Sequence, residues 1–264
     1  MAEINIKKVI SIALETGRIM LANGAEVYRV EETIERMIVS KHSAPVNVFV
    51  VSTGIIVSTE IDGDPYTVVD RTPSTSLDLE VISRANAFSR LFTDDDMTEE
   101  HAEIILQGLR NHPRFPDWVR YLFSGAAGGF FVLLSGGTFI EFLSAYIASA
   151  LVVMFSDTLT KENMNFFIKN ISGGLLAAGL ALVTVLFLRL FGIFASYNHI
   201  VVGPLMTLVP GVALTNGIRD LISGELIAGS VKIMEALFIA IALAFGVGVV
   251  LQLSLAIIGD LSWI

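Results

Sequence analysis

Asn111-His112-Pro113-Arg114-Phe115-Pro116-Asp117 is where the chain changes its chemistry. Its two prolines end any helix that reaches them, because the ring removes an amide donor and pushes the preceding residue out of helical geometry. Through Asp117 the chain holds 11 of its 17 Lys and Arg and 19 of its 26 Asp and Glu, so the last 147 residues carry only 13 charges. Of 22 glycines, 17 follow Asp117, as expected where closely packed membrane helices need small residues. The pattern predicts an α-helical integral membrane protein with five transmembrane helices in residues 116–264, preceded by an N-terminal cytosolic α/β domain in residues 1–115.

Whole-chain composition agrees. The 264 residues are 53% hydrophobic and 16% charged, with a mean hydropathy of +0.70, well above that of water-soluble domains. A formal charge of -9 leaves no basic face for a phosphate backbone and rules down nucleic-acid binding. Without cysteine there is no thiolate site, and His42, His101, His112 and His199 lack metal-ligand spacing, so neither metal nor cofactor is expected. The opening Met1-Ala2-Glu3-Ile4-Asn5-Ile6-Lys7-Lys8 is amphipathic, not a charged leader before an apolar core, which places the first segment in the cytosol.

Beyond the join, the apolar stretches at residues 118–137, 139–155, 171–194, 199–215 and 236–258 match an apolar layer of about 30 Å. Arg110, Arg114 and Arg120 precede the first, Lys161 and Lys169 separate the second and third, and Arg219 and Lys232 separate the fourth and fifth. The intervening loops 136–138 and 195–198 and the tail after Ile258 have no Lys or Arg. Because cytoplasmic loops collect those residues, the expected topology in a plasma membrane is N-terminus inside and C-terminus outside.

Before the join, Ile6, Val9, Ala13, Met20 and then Val27, Val30, Ile34, Ile38 recur at helical spacing around Asn23-Gly24. About three strands follow over residues 46–69, with a tight turn at Asp62-Gly63-Asp64-Pro65. Val81, Ala85, Phe88 and Phe92 restore a helical stripe, and Asp96-Met97-Thr98-Glu99 resembles a capping box opening a further helix through Leu109. The Asp94-Asp95-Asp96 run is assigned to that cap, and Arg29, Glu32 and Arg36 to a solvated ion-pair face.

The stretch from Gly203 to Leu221 carries the chemistry. Pro210 removes an amide donor and Gly211 permits geometry that other residues resist, so the fourth span is expected to break at membrane depth. In transporters such half-helix ends face the solute. Thr207, Pro210, Gly211, Thr215, Asn216, Arg219 and Asp220 are therefore the candidates for a substrate path or gate, with Arg219 suited to clamp a carboxylate. The competing explanation is that Pro210 only kinks the helix and Arg219-Asp220 caps its end. Asp157 and Glu235, at the inner ends of the second and fifth spans, are candidates for proton coupling, although Lys232 lies where it can neutralise Glu235. Arg189 is expected to snorkel or to pair with Glu141. Gly125 and Gly129, and the stripe Ala240, Ala244 and Gly248, are packing faces. No Ser-His-Asp order and no nucleotide loop is present, which argues against an enzyme and against a primary pump.

Two runs carry a family resemblance. Leu21-Ala22-Asn23-Gly24-Ala25-Glu26-Val27-Tyr28-Arg29-Val30-Glu31-Glu32-Thr33-Ile34 resembles the opening of the threonine/serine exporter family, and Val209-Pro210-Gly211-Val212-Ala213-Leu214-Thr215-Asn216-Gly217-Ile218-Arg219-Asp220 resembles its membrane signature. Gly24, Arg29 and Glu31 match the first motif, and Pro210, Gly211, Asn216, Arg219 and Asp220 the second. The resemblance implies proton-driven export of small amino acids. It also implies a split form in which a chain of this layout works with a smaller membrane subunit of the same family, such pairs being associated with succinate or other dicarboxylates. This chain has one set of spans and looks like the larger half. The alternatives are a membrane-anchored regulatory or sensory protein whose α/β domain binds a ligand or partner, and, more weakly, a tethered enzyme.

Overall fold

The computed structural model describes residues 5–72, 76–94, 97–113, 115–162 and 164–258. They fall into two compact units, Met1–Pro113 with Val212–Met234, and Arg114–Gly211 with Glu235–Ile264.

In the first unit, helix α1 (Ile6–Ala22) opens on Asn5, whose side chain accepts from the Lys7 amide at 3.0 Å. Its buried face, including Val9, Ala13, Gly17 and Met20, meets Val30 and Ile34 of α2 (Val27–Val39), and any side chain at Gly17 would collide with Ile34. Strands β1 (Val46–Val51), β2 (Gly54–Ile61) and β3 (Asp64–Arg71) form an antiparallel meander in that order, with Val57 opposite Val48 on one side and Val68 on the other. Ile55, Val57 and Thr59 point inward while alternate residues point out, the period of a half-buried sheet. The β2–β3 turn is the two residues Asp62 (φ 54°) and Gly63 (φ 85°), a primed turn matching the twist of the strands. Pro65 then falls on an edge strand, where a missing donor is tolerated.

Helices α3 (Leu79–Asp94) and α4 (Glu99–Arg110) complete the layer over α1, with Phe88 and Phe92 fully in the core and their rings 6.0 Å apart. Each such burial contributes roughly 1.5–3 kcal/mol. The cap of α4 is Thr98, which accepts from the His101 amide at 3.4 Å, two residues later than the Asp96 start expected from the sequence. The hydroxyl of Thr98 thus caps the helix in place of an aspartate; Asp95 and Asp96 lie outside the described residues.

The second unit is built from α5 (Asp117–Leu134), α6 (Phe139–Lys161), α7 (Phe166–Leu190), α8 (Tyr197–Leu208) and the greater part of α10 (Leu226–Ile258), while α9 (Gly211–Ile222) joins α8 to α10. Gly125 and Gly129 pack inside the chain, against Tyr146 and Phe142 of α6. On α10 the buried positions include Ala236, Ile239, Ala242 and Leu243, and Gly246 lies against the α7 backbone at Gly174. Ala240, Ala244 and Gly248 are exposed. Leu143, Ile147, Val183, Phe187 and Phe245 also stand exposed, an arrangement that water disfavours and lipid accepts.

Among the described residues three helices, α6, α7 and α10, are long and apolar enough to cross a membrane, and α8 with α9 makes a fourth if that pair, bent by 57° at its break, is one span. Of the five expected spans, the first is the one absent from that set, because the first turn of α5 carries Asp117 and Arg120. The fifth expected span began at residue 236, but α10 starts ten residues earlier: nothing between Leu226 and Ala236 breaks a helix, and Lys232 and Glu235 are accommodated within it. Its first part belongs to the α/β unit, where Ala228 is buried in the core.

Candidate functional site

Helix α1 ends in a Schellman motif. Ala25 N–H donates to Met20 O at 3.1 Å and Gly24 N–H to Leu21 O at 3.1 Å, with Gly24 at φ +90°. That turn delivers Glu26 to the start of α2, yet the Glu26 side chain makes no cap bond. The cap arrives from far along the chain: Asp220 Oδ1 accepts the Val27 amide at 3.2 Å. A carboxylate there also meets the positive end of the helix dipole.

Asp220 is fully buried, and its other oxygen takes the Lys232 ammonium at 2.7 Å. One helical turn earlier, Asn216 donates to Gly24 O at 2.9 Å. Arg219 forms an ion pair with Glu26, whose carboxylate also lies 3.4 Å from Arg29. Burial works to raise the Glu26 carboxyl, but its own backbone amide, Arg219 and Arg29 outweigh it and hold it below the usual glutamate range. Helices α9 and α10 approach closely enough for this arrangement because Gly217 faces Gly229. The two motifs singled out in the sequence thus close on one another within one compact unit.

The expected gate residues divide. Asn216, Arg219 and Asp220 come together as described, and Thr215 is exposed on α9. Thr207 and Pro210 belong to the other unit, where Thr207 donates to Pro204 O at 2.8 Å. Val209 is extended (φ -67°, ψ 128°), the geometry a following proline imposes, and Gly211 opens α9. Arg219 is not an open clamp: the chain's own Glu26 holds it. Lys232 turns to Asp220, not to Glu235, because the buried aspartate offers the less hydrated partner.

Within the first motif, Glu31 Oε1 accepts the Val50 amide at 2.8 Å and ties α2 to β1. Burial pushes its carboxyl up, Glu225 and Glu35 add to that, and only the Val50 amide opposes. Arg29 donates to the Tyr28 hydroxyl at 3.3 Å, and Arg36 donates to Ser89 at 3.1 Å, so this face is tied into α3 and not merely solvated. In the membrane unit Asp157 pairs with Arg120, beside Lys161 and Asp117 at 3.0 Å. Glu235 is exposed on α10.

One grouping was missed in the sequence. Glu141 is buried and accepts from the Thr138 amide (2.7 Å), the Ser196 amide (2.6 Å) and His199 Nδ1 (3.1 Å). Thr138-x-x-Glu141 is a capping box, and that spacing was the available signal. Arg189, the expected partner of Glu141, lines a small hollow with Val185, Ile193, Phe194 and Ala195.

A family model described as "Putative threonine/serine exporter" matches residues 11–254. A "Threonine/serine exporter" of Corynebacterium glutamicum is 28% identical over 158 residues, 59% of this chain and 32% of that protein. A "Probable threonine/serine exporter" of Mycobacterium tuberculosis is 21% identical, over 93% of this chain and 46% of its own length. A "Probable succinate transporter subunit YjjP" of Klebsiella aerogenes is 22% identical over 91% of this chain and 92% of its own length. The chain thus spans less than half the length of the two exporter relatives and nearly all of the third. No solved structure matches it.

Proposed function

The chain belongs to the threonine/serine exporter family, and from that premise we propose that it is the larger subunit of a secondary exporter moving a small amino acid or related carboxylate across the plasma membrane. The reading takes five spans, with α5 as the first, a cytosolic α/β domain and an outward C-terminus, as the alternation of Lys and Arg between loops supports. A smaller membrane subunit of the same family completes the path. Supporting that, the relative of matching length carries the word subunit in its name, whereas the two exporter relatives are more than twice as long as the part this chain matches.

The observation that carries the reading is the Arg219–Glu26 ion pair next to Asn216 and Gly24. A half-exposed guanidinium held by an internal carboxylate is a site that another carboxylate can enter by exchange, with little change in desolvation. The break at Pro210-Gly211, between Thr207 and Thr215, supplies the irregular backbone that transporters use near solute. Glu235, exposed on α10, supplies a carboxylate for returning protons on the inner side, where Asp157 is held in its pair with Arg120.

The test is efflux of preloaded labelled threonine, serine and succinate from proteoliposomes under an imposed pH gradient, with the chain alone and with its candidate companion subunit. Efflux of one of them only with the companion is expected. No efflux in either preparation, with insertion verified, removes the exporter reading and favours a regulatory one.

A further inference from the structure

Glu141 makes more contacts than a helix cap requires. The capping box uses Oε2 with Thr138, and Oε1 is taken by the Ser196 amide, yet a histidine is brought to Oε2 as well, at 3.1 Å. Glu141 is 3% exposed in the first turn of α6, while the His199 side chain keeps 35% of its surface. A pair with one partner sealed and the other reaching the surface has the form of a proton port.

Chemistry fixes the direction of exchange. With Nδ1–H donated to the carboxylate, the lone pair on Nε2 takes the incoming proton, and the imidazolium so formed lies against an anion. Of the described side chains on this end of the unit, histidine alone is of a type that ordinarily changes charge between about pH 5 and 8. The other groups nearby are few. Helix α7 brings Arg189 in its last turn; α8 brings Tyr197, whose buried hydroxyl has no hydrogen-bond partner among the described residues. The last turn of α5, residues 132–134, and residues 247–251 of α10 carry no titratable side chain.

Sixteen residues along α6, about 24 Å at the helical rise, Asp157 is paired with Arg120. An Arg–carboxylate pair stays charged across the neutral range, so the two ends of α6 are chemically unequal. We propose that Glu141–His199 is the proton-exchange site of this protein, loading a proton from outside water at His199 Nε2 and giving it up when the membrane unit changes state. The assignment rests on the exporter reading above, and it places the coupling proton at the end of α6 opposite to Asp157.

Two assays on the full chain in proteoliposomes, with the companion subunit if efflux needs it, separate the possibilities. Exchange of labelled solute at equal pH on both sides reports the solute path; net efflux driven by a pH step reports coupling. In Glu141→Gln, which retains an acceptor for Thr138, and in His199→Gln, exchange is expected to stay within twofold of wild type. Driven efflux falls at least tenfold and loses its pH dependence between about pH 5.5 and 7.5. Wild-type driven efflux in both variants overturns the assignment, as does parallel loss of exchange and driven efflux in variants that insert and melt like wild type. If wild type neither exchanges nor effluxes any solute, the exporter reading has failed; proton uptake by the purified full chain between pH 8 and 5 then decides the site alone. Glu141→Gln is expected to alter that uptake curve, and the alteration to vanish in a His199→Gln background. An unaltered curve overturns the pair as a proton site.

Discussion

Arg219 on α9 and Glu26 at the start of α2 form an ion pair across 193 residues of sequence. Glu26 is 10% exposed and Arg219 about half exposed, so loss of the arginine leaves a mostly buried carboxylate with Arg29 as its remaining cation. Arg219→Ala is expected to reduce solute export at least tenfold at matched insertion, and Glu26→Gln to weaken it less, since Asn216 still holds Gly24. The two effects should be non-additive, as residues in direct contact are. Additive losses, or export by Arg219→Ala at the wild-type rate, remove the pair from the path.

Because the Glu26 carboxyl is held below its ordinary range, its contribution to folding is fully present above that range and fades as pH falls through the depressed value. The wild-type advantage in melting temperature over Glu26→Gln should therefore be constant from about pH 8 to 5.5 and shrink below about pH 4. A gap that closes already near pH 6 contradicts the ion pair.

Asp220 and Lys232 are the buried pair of this site, with side chains 0% and 14% exposed. Removing one partner strands the other's charge, a change of about 3–5 kcal/mol for buried pairs. Lys232→Met and Asp220→Asn should each lower the melting temperature sharply, and the double variant should recover part of the loss. Asp220→Asn keeps an acceptor for the Val27 amide, so its deficit reports the charge. If the double variant is as unstable as the sum of the singles, the ammonium and carboxylate are not coupled.

Gly24 tests the turn beneath the site. Its φ of +90° is one that an L side chain enters at a cost of about 1–2 kcal/mol, and an added Cβ would lie 3.2 Å from Leu77 and 3.3 Å from Ser76 O. Gly24→Ala should lower stability by about that amount and, by moving the Gly24 carbonyl off Asn216, depress export further than stability alone explains. Circular dichroism melts alongside efflux separate the two; unchanged melting is the outcome that excludes a required positive φ.

What could be read from the sequence was local. The Asp62-Gly63 turn, the α1 and α2 stripes and the composition step at Pro113-Arg114-Phe115-Pro116 declare themselves within a few residues, because turn chemistry and helical period act over that range. The return of α9 did not. Asn216, Arg219 and Asp220 mark a polar helix face, but nothing in their spacing says that Gly24, Glu26 and the Val27 amide are what they meet. Glu141 was hidden differently: near the start of the second span its expected partner was Arg189, and the histidine that completes the group lies 58 residues away.

Glu31 gives a pH signature of opposite sign. Its carboxyl is raised, by burial first and by Glu225 and Glu35 after it, with the Val50 amide opposing. A raised carboxyl favours its neutral form in the folded state, so ionisation as pH rises through the folded value weakens folding, and protonation below it restores what was lost. Glu31→Gln is neutral at every pH and keeps an oxygen for the Val50 amide at the 2.8 Å contact. The variant should therefore melt above wild type near pH 8, and the difference should shrink as pH falls toward 4, where the wild-type carboxyl is mostly protonated in both states. Thermal melts of the full chain in detergent at pH 4, 6 and 8 measure this directly. A variant that is less stable than wild type at pH 8 would show that the ionised carboxylate is needed on the Val50 amide, and that α2 is tied to β1 by charge.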